Sequence, residues 1–259
     1  MRADRVRQGM VVLALVATVA LNALANILPL NNQTTGDIAN RYPVRFIPAN
    51  YVFSIWSLIY IGLIAYAVYQ ALPGQRTNKR LQHTGWLFVL TCVFNSAWLV
   101  LWHYEFFILT IPVMIALFAT LFAIYVALRR GGDPPSAVER LVVFGTFSVY
   151  LGWITVATIT NIVTVLYQQG WNGWGISAEA WTVVLLVVGV GIAALFTRNK
   201  PDVAYVAVLL WAFAGIAVKQ SDAPVVVIAA VVATLAIAAL LVVKLLRGGS
   251  RGRAVQRAA

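Results

Sequence analysis

The stretch YLGWITVATITN, residues 150–161, decides how this chain is read. It lies inside the apolar run 141–166, and about 20 apolar residues are enough for a helix to cross a bilayer. Yet it carries Tyr150, Trp153, three threonines and Asn161. Helical residues advance about 100° each. Tyr150, Trp153, Ala157 and Asn161 therefore fall on one face, within roughly 60° on either side of Tyr150. An amide left unpaired in hydrocarbon costs on the order of several kcal/mol. This face must look at protein, water or a ligand, and the stretch reads as one wall of a helical membrane bundle.

The rest of the chain agrees. Of its 259 residues, 61% are hydrophobic and 10% charged, against about 25% charged in soluble domains. Eight apolar runs are long enough to span: about 9–30, 51–72, 84–103, 106–128, 141–166, 179–198, 203–220 and 223–246. The strands of a membrane barrel would alternate apolar and polar residues, and these runs do not. The expected fold is all-α, a polytopic membrane helix bundle of about eight transmembrane helices. Runs three and four are split only by His103–Glu105, and runs seven and eight by Lys219–Asp222. Seven or nine spans remain alternatives.

A net charge of +11 invites a nucleic-acid partner, but its placement argues otherwise. With the N-terminus inside, sixteen of the nineteen Lys and Arg fall in inside segments. Only Arg41, Arg45 and Lys219 fall outside. This is the positive-inside bias of a multi-pass protein. It puts both termini in the cytoplasm, makes the lipid bilayer the first partner and leaves no case for nucleic acid. Arg-rich residues 2–7 ahead of Ala23-Leu24-Ala25 look somewhat like a cleavable signal. An uncleaved first helix is the favoured reading.

Polar groups recur on other helix faces. Span two carries Phe53, Trp56, Tyr60 and Ala67, and span three Thr91, Asn95, Trp98 and Trp102. Span one adds Asn22 and Asn26, four apart. Each asparagine alone is explained by bonding between helices, and each aromatic by packing. Four such stripes together point to a shared interior cavity with flat π faces and a few amides, suited to a flat, mostly apolar ligand. The candidate ligand-binding residues are Asn26, Trp56, Tyr60, Asn95, Trp98, Tyr150, Trp153, Ala157 and Asn161.

Other chemistry is thinly supplied. Glu105, Glu179, Asp202 and Asp222 all sit near span ends, which argues against ion coupling. His83 and His103 lie roughly 30 Å apart along one helix and cannot share a metal. Both read as interface histidines, with a metal or polar ligand at His103 and Glu105 as the weaker alternative. Cys92, the single cysteine, forms no internal disulfide. No nucleophile arrangement, phosphate loop or metal cluster is visible, so an enzyme is not expected. Residues 31–50 read as a turn-rich loop limited by Pro43 and Pro48. Trp171 and Trp174, in the loop 167–178, read as headgroup anchors, with a lid as the sharper alternative. From about 179 onward the spans are plain Val, Ala, Leu and Ile. The expected organisation is a five-helix core at 1–170, three further helices at 171–247 and a basic, disordered tail at 248–259.

Spans one to five resemble the tryptophan-rich sensory protein family, also called TspO/MBR, which includes the translocator proteins. Three motifs carry the resemblance: PANYVFSIWSLIY with Tyr51, Phe53, Trp56 and Tyr60; Asn95-x-x-Trp98; and Tyr150-Leu151-x-Trp153 followed by Ala157 and Asn161. The departures are specific too. Only Pro48 matches a family Pro-Pro, and Ser54-Ile55 replaces a Gly-Pro. Thr91 stands for a Gln and Val149 for a Pro. The family commonly has five helices, so this chain looks like a distant member extended by three.

The resemblance implies a retained first helix and a pocket for a tetrapyrrole, such as protoporphyrin or haem, or for a sterol-like molecule. It implies a transporter or sensor with no required cofactor, in a bacterial cell membrane, and it leaves a homodimer open. Trp153 and Tyr150 would stack on the ligand, while Asn161, Asn95 and Asn26 would supply directional bonds or fix helix register. The competing reading is a permease-like or structural subunit whose polar stripes only hold helices together.

Overall fold

The computed structural model describes residues 2–130 and 133–258, with side chains described for 3–130 and 133–247. The described residues form helices and no strand. In chain order they are α1 (Arg2–Ile27), α2 (Thr35–Arg41), α3 (Ile55–Ala71), α4 (Lys79–His103), α5 (Phe107–Arg129), α6 (Ala137–Glu139), α7 (Thr146–Gln168), α8 (Ala178–Thr197), α9 (Val203–Lys219) and α10 (Pro224–Ala258). A π-helical turn, Arg140–Gly145, joins α6 to α7, so that Ala137–Gln168 is one continuous span.

All eight apolar runs are helices. Seven are long and apolar enough to cross a membrane. The eighth, α9, has 17 residues, about 25 Å of rise against a hydrocarbon core of about 30 Å. The loop at 31–50 is more ordered than its turn-forming residues imply. It contains α2, opened by a capping box in which Thr34 and Asp37 bond each other's backbone N–H. Helical backbone through Ala258 takes the place of the disordered tail expected there, and the tail's side chains lie outside the described residues.

Two compact units divide the chain. The first comprises Met1–Pro43 and Ser54–Gly170, and the second Val44–Phe53 and Trp171–Ala259. In the first unit α4 packs on α1 and α5, α5 on α7, and α3 on α1 and α7. It contains an aromatic knot. Tyr66, Phe88 and Phe147 are fully buried, with ring centroids 4.9–6.0 Å apart and mutually edge-on. Gly62 lets α3 approach α7 closely, since a Cβ there would lie 2.7 Å from Thr146 Oγ1.

In the second unit α10 packs on both α8 and α9. Glycines set the contacts. A Cβ on Gly189 would lie 2.3 Å from Phe213 Cζ. The segment Val44–Phe53, which reads in sequence as the end of an outside loop and the start of span two, is stitched into this unit. Ala49 N donates to Gly215 O at 3.0 Å, Trp211 Nε1 to Val52 O at 3.2 Å and Gln220 Nε2 to Val44 O at 3.3 Å. Arg45 reaches Asp222 at 2.7 Å and Glu179 at 3.3 Å.

Candidate functional site

The candidate residues gather in the first unit, in two groups. The first is aromatic and lies between α3 and α7. Trp56 and Tyr60, one turn apart on α3, stack with centroids 5.4 Å apart and planes 24° apart. Across from them, Trp56 meets Tyr150 edge-on at 6.0 Å and Trp153 edge-on at 6.3 Å. Tyr150 and Trp153 are buried, whereas Trp56 and Tyr60 are half-buried. The four rings thus form one continuous π surface with an accessible side. Edge-on pairs of this kind add about 0.5–1.5 kcal/mol each beyond the area they bury.

The second group is a set of amide bonds between helices. Trp98 Nε1 donates to Asn161 Oδ1 at 2.9 Å, and Asn161 Nδ2 donates to Thr110 Oγ1 at 3.0 Å. These bonds tie α4 to α7 and α7 to α5. Asn22 Nδ2 donates to Asn95 Oδ1 at 2.9 Å, which ties α1 to α4. The Tyr150 hydroxyl also interacts with the Asn95 side chain. Both ends of the Asn161 amide are therefore occupied by neighbouring helices, which answers the buried-amide requirement without a ligand. Three threonines of α7 bond to carbonyls of their own helix. Thr155, Thr158 and Thr160 donate to the carbonyls of Leu151, Ile154 and Val156.

Two candidates stand apart from these groups. Asn26 is exposed and bonds back to Asn22 O at 2.9 Å. Its neighbour Ala25 is fully buried, so α1 still packs at this height and Asn26 lies off the packed face. Ala157 is half-buried between Trp153 and Asn161 on the same helix face.

Above the amide bonds, aromatic contacts continue to the end of the unit. Trp98 stacks on Trp102 at 5.4 Å, Trp102 meets Phe107 at 5.2 Å, and Tyr42 meets Phe107 at 5.8 Å and Tyr167 at 6.1 Å. The loop with α2 closes over this end. Asn31 Nδ2 donates to His103 O at 3.0 Å and Trp102 Nε1 to Thr35 O at 3.4 Å. His103 is fully buried, with Nδ1 2.8 Å from Leu99 O, and so is a core residue rather than an interface histidine. Its neighbour Glu105 is engaged elsewhere, bonded to Arg41 at 2.7 Å and Gln33 at 2.9 Å. The Arg41 guanidinium, helped by Gln33, holds the Glu105 carboxyl below its usual range. At the other loop, Trp171, Trp174 and Trp181 cluster with centroids 5.4–5.9 Å apart, and Trp174 is 76% exposed.

Sequence reasoning missed Thr110, Tyr42 and Phe107. Thr110 carried a signal: it is one of the few hydroxyls inside a largely apolar run. Tyr42 carried none, because only the path of the loop with α2 brings it to Phe107 and Tyr167, whereas Phe107 comes to Trp102 across the short turn between α4 and α5.

A family model described as TSPO-like protein matches residues 8–243. The match covers most of the chain and reaches into α10, so the C-terminal helices lie within the matched length rather than beyond it. No curated protein and no solved structure matches the chain.

Proposed function

The chain belongs to the TSPO-like protein family, and on that premise we propose that it binds a flat, mostly apolar ligand against the π surface of Trp56, Tyr60, Tyr150 and Trp153. The ligand class is a tetrapyrrole such as protoporphyrin or haem, or a sterol-like molecule. The protein acts as a transporter or sensor in a cell membrane, and binding rather than catalysis is its chemistry. One observation carries this reading. Trp56 touches all three other rings while remaining half-buried, so the π surface is both preassembled and reachable. A planar ligand gains stacking there without first separating the helices.

The test is quenching of intrinsic tryptophan fluorescence in the detergent-purified protein, titrated with protoporphyrin IX and with haem. Saturable quenching that weakens about tenfold or more in Trp56→Leu and Trp153→Phe supports the reading, since stacking and desolvation at one aromatic surface together supply on the order of 1.5 kcal/mol or more. Quenching that is linear, or equal in all three proteins, rejects it.

The second reading, a structural or permease-like subunit, is favoured by the amide bonds. Asn95 and Asn161 are each held by a partner on another helix. On that reading Asn161→Ala lowers thermal stability and there is no ligand binding to lose. On the first reading, the same variant loses stability while the aromatic surface still binds.

A further inference from the structure

At the opposite end of the first unit, away from the π surface, lies a buried cation with unused donors. Arg7 on α1 is 2% exposed and lies between α3 and α4. Gly85 makes room for it, since a Cβ there would lie 2.9 Å from Arg7 Cδ. Arg7 Nη1 donates to Leu81 O at 3.0 Å and to Gln70 Oε1 at 3.5 Å. Nε and Nη2 have no acceptor among the described residues, and the buried Tyr66 hydroxyl has none that meets hydrogen-bond geometry, although the Thr84 side chain is within interacting reach of it. Tyr66 is close enough to Arg7 to feel its charge.

The nearby amides are committed. Gln70 Nε2 donates to Gln8 O and Ala67 O, both at 3.2 Å, and Gln8 Nε2 donates to the Gln70 and Leu72 carbonyls. The Thr84 hydroxyl donates to Arg80 O at 2.9 Å. Asp4, one turn earlier on α1, is within electrostatic reach of Arg7 but bonds Gln82 at 2.8 Å.

Buried polar groups are almost always bonded, and a buried charge needs a partner. What is free here is specific. Nε–H and the Nη2 hydrogens form one edge of the guanidinium, the edge that grips a carboxylate or phosphate with two parallel bonds. The Tyr66 hydroxyl adds a third donor. Donors on one edge of a cation, with the Asp4 carboxylate bonded to Gln82, are complementary to an oxyanion.

We propose that the Nε–Nη2 edge of Arg7, with the Tyr66 hydroxyl, is a binding site for a single oxyanion group, a phosphate or carboxylate. The charge bias puts this end of α1 on the cytoplasmic side, where both free phosphate and the headgroups of anionic lipids are at hand.

The experiment follows thermal unfolding of the full chain in a neutral detergent at matched ionic strength. The additions are chloride, inorganic phosphate, phosphatidylglycerol and phosphatidylcholine. A rise of about 2 °C or more with phosphate over chloride identifies a free anion. A rise with phosphatidylglycerol over phosphatidylcholine, without one from phosphate, identifies a lipid headgroup. No rise from either overturns the proposal, with water satisfying the donors. Arg7→Gln is expected to abolish the response. Should that variant fail to fold, Tyr66→Phe, which removes one donor, and Gly85→Ala, which displaces the side chain and keeps its charge, carry the test. An undiminished rise in both of them also overturns the proposal, because the anion then binds at other basic residues.

Discussion

In the first unit helices meet through bonds between named side chains, Asn22 to Asn95 and Trp98 to Asn161 to Thr110. The first unit also has a close approach, Gly62 beside Thr146, whereas in the second the close approaches lead: α8 meets α9 at Gly189, beneath Phe213, and α9 meets the Val44–Phe53 segment at Gly215, beneath Val52. Both are answers to the same difficulty. Lipid tails are as apolar as leucine, so burial alone gives helices in a membrane little reason to associate. Close approach of backbones and polar bonds between helices are the two remedies. They leave different surfaces behind. Close packing fills its interface with backbone and small groups. Polar bonds fix the register at a few points and leave the neighbouring aromatic faces available. The candidate π surface lies in the first unit, where the polar bonds are.

The comparison is most exposed to a change at Gly215. A Cβ there would lie 2.2 Å from Val52 Cγ2 and 3.2 Å from Pro48 Cβ. Gly215→Ala should cost about 1–3 kcal/mol by overpacking, read as a lower midpoint of thermal unfolding. A midpoint equal to wild type would break the claim that close approach holds the second unit together.

Next in size is Asn161→Ala, which leaves Trp98 Nε1 and Thr110 Oγ1 without their partner and should cost about 1 kcal/mol. Thr197→Ala in the second unit should cost much less. Its hydroxyl bonds only carbonyls of its own helix, Ala193 and Ala194, both at 3.0 Å. Equal losses in the two variants would erase the distinction between the units.

A double-mutant cycle of Trp98→Phe with Asn161→Ala sharpens the same point. It should return a coupling of about 0.6 kcal/mol, the usual value for a polar contact between membrane helices. A coupling near zero would make the Trp98–Asn161 bond incidental.

The smallest effect is one the units share. Each carries an exposed ion pair at 2.7 Å, Arg41–Glu105 in the first and Arg45–Asp222 in the second. The arginine lowers the carboxyl in both cases. A carboxyl lowered by folding adds stability that is fully present above its unfolded value, above about pH 5. That stability is lost as pH falls through the folded value. Thermal midpoints should therefore drop slightly on acidification, and the drop should shrink in Glu105→Gln and in Asp222→Asn. A drop unchanged by either variant would assign it to other carboxylates.

The helices were legible because an apolar run has only one way to satisfy its backbone in lipid. So was the face of α7 with Tyr150, Trp153 and Asn161, since their spacing alone puts them together. The partners were not legible. Asn26 has the same spacing to Asn22 as Asn161 has to Ala157, yet it is exposed while Ala25 beside it is fully buried, because spacing gives a direction around one helix and not which side its neighbours cover. His103 reads as an end residue and is fully buried, because the loop with α2 folds over it. Arg7 reads as one of several topology-setting charges. Its burial depends on Gly85, 78 positions away in the chain, leaving space.

By itself the sequence determined an all-helical membrane protein, the number of its apolar segments and the face of each that cannot meet lipid. These follow from hydrophobic content and the helical period, which are properties of single segments. Tertiary structure alone decided that Val44–Phe53 belongs with the C-terminal helices, that Asn95 and Asn161 are held by other helices, and that two nitrogens of Arg7 find no acceptor among the described residues. Those facts depend on which helices are neighbours and at what height, and no segment carries that information on its own.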